Sequence, residues 1–282
     1  MLAAVPSPPT GIEMPQTAEL IFTIGGAVPL VAVIYLAIRH LRTGQGPLLA
    51  FCLVGGLAAS LFEPFVDVMG MVYLTENGSI GTFTFLDRTM PLFVPIIYPW
   101  YIGGFAYYTC KQFEKGITTK GVFQLWGTFV LVNYLLEAPG LFTDVYNYYG
   151  NQPFNIWGHP LWWGCANAFT ALAAGAFVYG VKPYFGRGWG LAGVIPLIFV
   201  SEGLSNAGTG WPMYVTLGGD MSYWFTYGSA IITVGLIAFL VWVISLVATG
   251  KRPPEPPAPS VPGPAAEPAP VAGRPDRVPV GV

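Results

Sequence analysis

The sequence predicts an all-α fold: a polytopic membrane protein built as a seven-transmembrane-helix bundle, with its N-terminus outside and its C-terminus cytoplasmic. Three observations predict it. Of 282 residues, 54% are hydrophobic and only 9% are charged, against about 25% charged in a soluble domain, and the mean hydropathy is +0.57. Apolar runs of about 20 residues, the length a helix needs to cross the hydrocarbon core, recur along the chain. Basic residues also collect in alternate connections, as an inserted bundle requires.

Residues 1–17 are read as an extracytoplasmic segment without the positive start of a signal peptide. The membrane domain, 18–249, then holds spans near 18–39, 47–71, 91–112, 120–144, 161–181, 189–208 and 222–248. Connections after the first, third and fifth carry Arg39, Arg42, Lys111, Lys115, Lys120, Lys182 and Arg187, and Lys251 and Arg252 follow the seventh. The other side has Arg88 alone, so the positive-inside rule sets the orientation. The outer connections "TENGSIGTFTFLDRTM" and "YNYYGNQPFNIWGHP" are longer and aromatic, suited to an interfacial cap. Asn77-Gly78 reads as a tight turn. The last segment, 250–282, is rich in Pro and Ala and reads as a disordered cytoplasmic tail.

Several function classes drop out. The net charge of −2, with no basic run, gives no reason to expect a nucleic-acid partner. Cys52, Cys110 and Cys165 are scattered singly and read as small buried hydrophobes. His40 and His159 are the only histidines and fall in loops of opposite sides, so no histidine-based metal site is expected, and no cofactor. Retinal-type photochemistry needs a Schiff-base lysine in the last span, and none occurs from Met221 to Thr249.

Charge inside the spans is the informative feature. Glu63 and Asp67 lie in the second, Glu137 in the fourth and Glu202 in the sixth. These three spans run in the same direction, which places the glutamates at similar depth, past the middle toward the outer face. A charge at mid-bilayer costs about 2.5–3.5 kcal/mol on insertion scales, and no basic residue stands in the core of any span. Each acid has a polar neighbour one turn away: Asp67 for Glu63, Asn133 for Glu137 and Asn206 for Glu202. Each is also followed by an expected helix break, at Pro64, Pro139 and Gly203. The simplest geometry turns these acids, joined by Asn167, into one pocket open to the outer side, with Asp220 at its rim. The alternative role for buried acids and asparagines is hydrogen-bonding glue between helices.

Burial disfavours a carboxylate's charged form, and two carboxyls one turn apart titrate as a unit. One protonated acid beside one carboxylate is the arrangement general acid–base catalysis uses. Candidate lining residues are Phe62, Tyr98, Tyr101, Tyr134, Trp163 and Trp211, because aromatic faces attract cations. Such a site suits protonation of a lipophilic substrate and guidance of the resulting cation. On this reading Glu63 is the leading acid and Asp67 its coupled partner. Glu137 and Glu202 are further acid/base candidates, oriented by Asn133, Asn167 and Asn206.

The stretches "EPFVDVMGMVYLTENGSIGTFTFLDRTMP" and "NYLLEAPGLFTDVYNYYGNQPFNIWGHPL" resemble the actinobacterial membrane proteins grouped with the avermectin spirocyclase. The features are an acid-proline pair ending one span, and a span acid followed by Tyr-x-Tyr-Tyr-Gly and a Pro-Leu start. In span number, size and acids (Glu63 early, Asp220 late) the chain is also similar to the integral membrane terpene cyclases. Both resemblances imply acid-triggered ring closure of an isoprenoid or polyketide-like substrate, with that molecule and membrane lipids as the partners. The competing expectation is a proton-coupled carrier, since intramembrane carboxylates in broken helices serve those proteins too.

Overall fold

A computed structural model of the chain describes residues 6–219 and 221–250. The expected rim residue Asp220 and the Pro/Ala-rich segment from 251 lie outside the described residues. The helical elements are α1 (Gln16–Arg42), α2 (Leu48–Gly70), α3 (93–114), α4 (Thr119–Phe142), α5 (Leu161–Phe185), α6 (Gly188–Gly218) and α7 (Tyr223–Ala248). All but α3 are long and apolar enough to cross a bilayer, six in total. In α3, prolines, tyrosines and the Gly103-Gly104 pair dilute the apolar run expected to form the third of seven spans.

The outer faces of these helices are apolar. Ile21, Ile24, Val28, Val31 and Tyr35 of α1, and Ile231, Ile232 and Phe239 of α7, are all exposed. A contiguous greasy face of that size is stable against lipid rather than water. α5 is the central helix: 67% of its most apolar window is buried, against 17% for α1 and 28% for α7. Its run of Gly and Ala explains the position, because small residues let backbones approach closely. A Cβ added to Gly175 would lie 2.3 Å from Thr109 of α3.

The prolines beside the acids do not end their helices. Pro64 sits in the first turn of the α-helical stretch Glu63–Gly70, where its missing N–H is not needed. Pro139 lies inside α4, which continues to Phe142. At Gly203 the helix passes into a π-helical turn, Leu204–Thr209, and α3 has a second such turn at Pro99–Gly104. The irregularity is therefore a local change of turn, tightened to 3₁₀ at Ser60–Phe62 and widened at the π-helical turns, rather than a break.

Short antiparallel ribbons cap one end. β1 (Val72–Leu74) follows α2 directly and pairs with β4 (Tyr146–Tyr148), which follows α4. β2 (Gly81–Phe85) pairs with β3 (Arg88–Pro91), and β5 (Asn155–Ile156) with β6 (His159–Pro160). The turn between β2 and β3 places Leu86 and Asp87 at φ of 53° and 57°, the twist a two-residue hairpin prefers. Asn77-Gly78 does form a turn, with Gly78 at φ 76° and the Asn77 amide donating to the Thr10 carbonyl at 2.6 Å.

Candidate functional site

Beneath the β1–β4 ribbon, residues of α1 through α6 line a narrow cavity of about 80 Å³. One buried water needs about 10–15 Å³ on that measure, so the space suits a few waters or a slender chain. Period-2 alternation puts Val72 and Leu74 of β1, and Tyr146 and Tyr148 of β4, on the ribbon face that roofs it. Because each strand leaves an acid-bearing helix, the ribbon also ties α2 to α4.

The structure brings Glu63, Asp67, Glu137 and Glu202 to this one cavity, with Asn133, Asn167, Tyr98, Tyr101 and Trp163. Two groupings result. In the first, the Tyr98 hydroxyl donates to Glu63 Oε2 and lies 3.5 Å from Glu202 Oε1. Asn206 Nδ2 donates to the same Glu202 oxygen at 2.7 Å. Tyr98 thus bridges two carboxyls on different helices. Among the described residues Glu202 Oε2 has no partner, and Asp67, 1% exposed, has none on either carboxyl oxygen. Buried oxygens left this way each cost about 1–3 kcal/mol unless a proton, a water or a ligand meets them.

The second grouping centres on Glu137. Its Oε1 accepts from Asn133 Nδ2 at 2.8 Å and Asn167 Nδ2 at 3.2 Å. Its Oε2 accepts from the Tyr148 hydroxyl at 2.6 Å and lies 2.9 Å from His159 Nε2. His159 Nε2 is also 3.1 Å from Asn133 Oδ1, and its Nδ1 is 3.0 Å from the Pro160 carbonyl. The imidazole therefore sits between Glu137, Asn133 and the Pro160 carbonyl and joins the loop to α4 through hydrogen bonds. Burial, then the Glu137 carboxylate, pushes the Tyr148 hydroxyl well above its ordinary range, which keeps it a donor.

Four expectations need correction. Glu137 is expected to lack a basic neighbour, because His159 falls in a connecting loop. The loop folds inward, and His159 is 1% exposed against α4. Trp211, read as pocket lining, is on the outward face of α6 and 59% exposed. Phe62 fills the α2–α6 seam instead, its ring 4.6 Å from Phe199. Tyr134 lies behind His159, ring centroids 4.3 Å apart, and does not reach the cavity wall. Missed altogether were Tyr146, Tyr148 and Phe22 as lining residues. The tyrosine-rich "YNYYG" was the available signal, legible only once its pairing with β1 was known.

Glycines fix these positions. A Cβ on Gly70 would fall 1.9 Å from the Trp163 ring, so only glycine lets Trp163 lie over the end of α2. Compared with models of known protein families, with curated proteins and with solved structures, the chain matches none.

Proposed function

We propose that the chain is a seven-span enzyme of the bacterial plasma membrane, N-terminus outside, that closes or isomerises a ring in a lipophilic isoprenoid or polyketide-like substrate. Asp67 carries the proposal. It is a buried carboxyl with no hydrogen-bond partner among the described residues, in a cavity shared with Glu63 and Glu202. A protein that only needed glue between helices would satisfy both oxygens.

In the proposed reaction an acid of the Glu63–Tyr98–Glu202 group gives its proton to an alkene, epoxide or carbonyl oxygen. The resulting cation forms the new ring bond, and a proton then leaves to a neighbouring carboxylate. The net change is an isomerisation. Asp67 is the coupled partner that receives or resupplies the proton. Glu137, held by four partners, serves as a fixed negative pole for the cation, beside the faces of Tyr101 and Trp163. A cavity this narrow would take the reacting end of an extended chain.

A carrier is the second reading, favoured by the π-helical turns beside Tyr98 and Glu202. Purified Glu63→Gln and Glu202→Gln proteins separate the two. The enzyme reading expects both to fold and to lose product formation by at least about a hundredfold, the usual scale of general acid–base assistance. Full turnover by both would sink it. Proton flux through the wild type in liposomes lacking substrate, abolished by the same changes, would favour the carrier.

A further inference from the structure

At the other end of the bundle, α1, α3 and α5 finish and α2 and α6 begin around a second cavity of about 620 Å³, far roomier than the first. Its wall carries Lys111, Lys182, Arg187 and His40, and no carboxylate stands among its described lining residues. Glu114, behind the wall, pairs with Lys111 at 2.9 Å and with Lys182, so three permanent cations meet one anion. Arg187 makes no ion pair among the described residues.

Two Gly-x-Gly turns form the rim, Gly44-Gln45-Gly46 and Gly186-Arg187-Gly188. The four glycines have φ of 74°, 90°, 71° and 63°, with open space where a Cβ would stand. A ligand can therefore approach the backbone itself. α2 opens against the cavity at Pro47–Leu49 with no side-chain cap, which leaves first-turn N–H groups to be satisfied from outside the helix. Tyr184 and Trp189 flank Arg187 and are each 86% exposed, as aromatic anchors at headgroup level are.

We propose that this cavity binds the phosphate ester of an anionic phospholipid from the adjoining leaflet. Excess positive charge, bare glycine backbone and an uncapped helix start all select a phosphate, and the flanking aromatics select one attached to acyl chains. The site is independent of the acid cavity and of its proposed chemistry.

Full-length protein in nanodiscs of phosphatidylcholine with a minority of phosphatidylglycerol provides the test, read by native mass spectrometry of retained lipid. Wild type should keep phosphatidylglycerol in preference to phosphatidylcholine. Arg187→Gln should weaken that preference about fivefold, the scale of one lost lipid-facing charge, and Arg187→Lys should largely restore it. Lys115→Gln, at the same end but off the cavity wall, should change nothing. Displacement of the lipid by millimolar inorganic phosphate would support the phosphate site while naming a soluble occupant. Equal retention of both lipids by wild type, or equal losses in Arg187→Gln and Lys115→Gln, would overturn the proposal.

Discussion

His159 reaches Glu137 because residue 164 is glycine. A Cβ there would stand 2.9 Å from the Tyr134 ring, 3.2 Å from His159 Cε1 and 3.4 Å from Asn133 Oδ1. Gly164→Ala should therefore push the imidazole off its carboxylate and cost about 1–3 kcal/mol in thermal unfolding, as overpacking does. His159→Gln should cost about 3 kcal/mol, because it takes a donor from the buried Glu137 carboxylate and leaves that charge stranded. A double change of His159 and Glu137 to Gln that is no less stable than His159→Gln alone would show that the stranded charge was the cost. Additive losses would contradict it. The four acids and the asparagines were legible at this scale, since charge in an apolar run is conspicuous. His159 was not, because a histidine in a polar loop carries no mark of burial.

At the scale of elements, α2 and α3 meet where glycine faces glycine. A Cβ on Gly103 would fall 2.1 Å from the Cys52 carbonyl oxygen, and one on Gly56 would fall 2.7 Å from Gly103 N. Both obstructions are backbone, which cannot turn aside. Gly103→Ala should part the helices, move Tyr98 from Glu63, and reduce the monodisperse fraction in detergent chromatography. An unchanged elution profile and melting temperature would refute this packing. The spans could be read from apolar length, but the behaviour at Pro64 and Pro139 could not. Proline costs a helix only where its N–H or the preceding turn is needed, and sequence alone does not show the widened or restarted turn that accommodates it. The ribbon from β1 to β4 was equally hidden, being three residues a side and paired across more than seventy positions.

The whole molecule has two unlike ends. The ribbons and the acid cavity lie at one, while short basic connections surround the large cavity at the other. The proposed orientation puts the acid end outside, so single cysteines at Ser79 and Thr118, in a background with Cys52, Cys110 and Cys165 replaced, should label oppositely. An impermeant maleimide added to intact cells should modify the first and spare the second, and the reverse pattern would invert the topology. In the proposed function the buried carboxyls protonate a lipophilic molecule in the acid cavity. Organic extraction of purified wild type and of Glu63→Gln/Glu202→Gln protein, with mass spectrometry of the extracts, tests it most directly. Two compounds of equal mass and different retention are expected, the uncyclised isomer in the variant and the ring-closed one in the wild type. The same compound in both preparations, in equal amount, would contradict it.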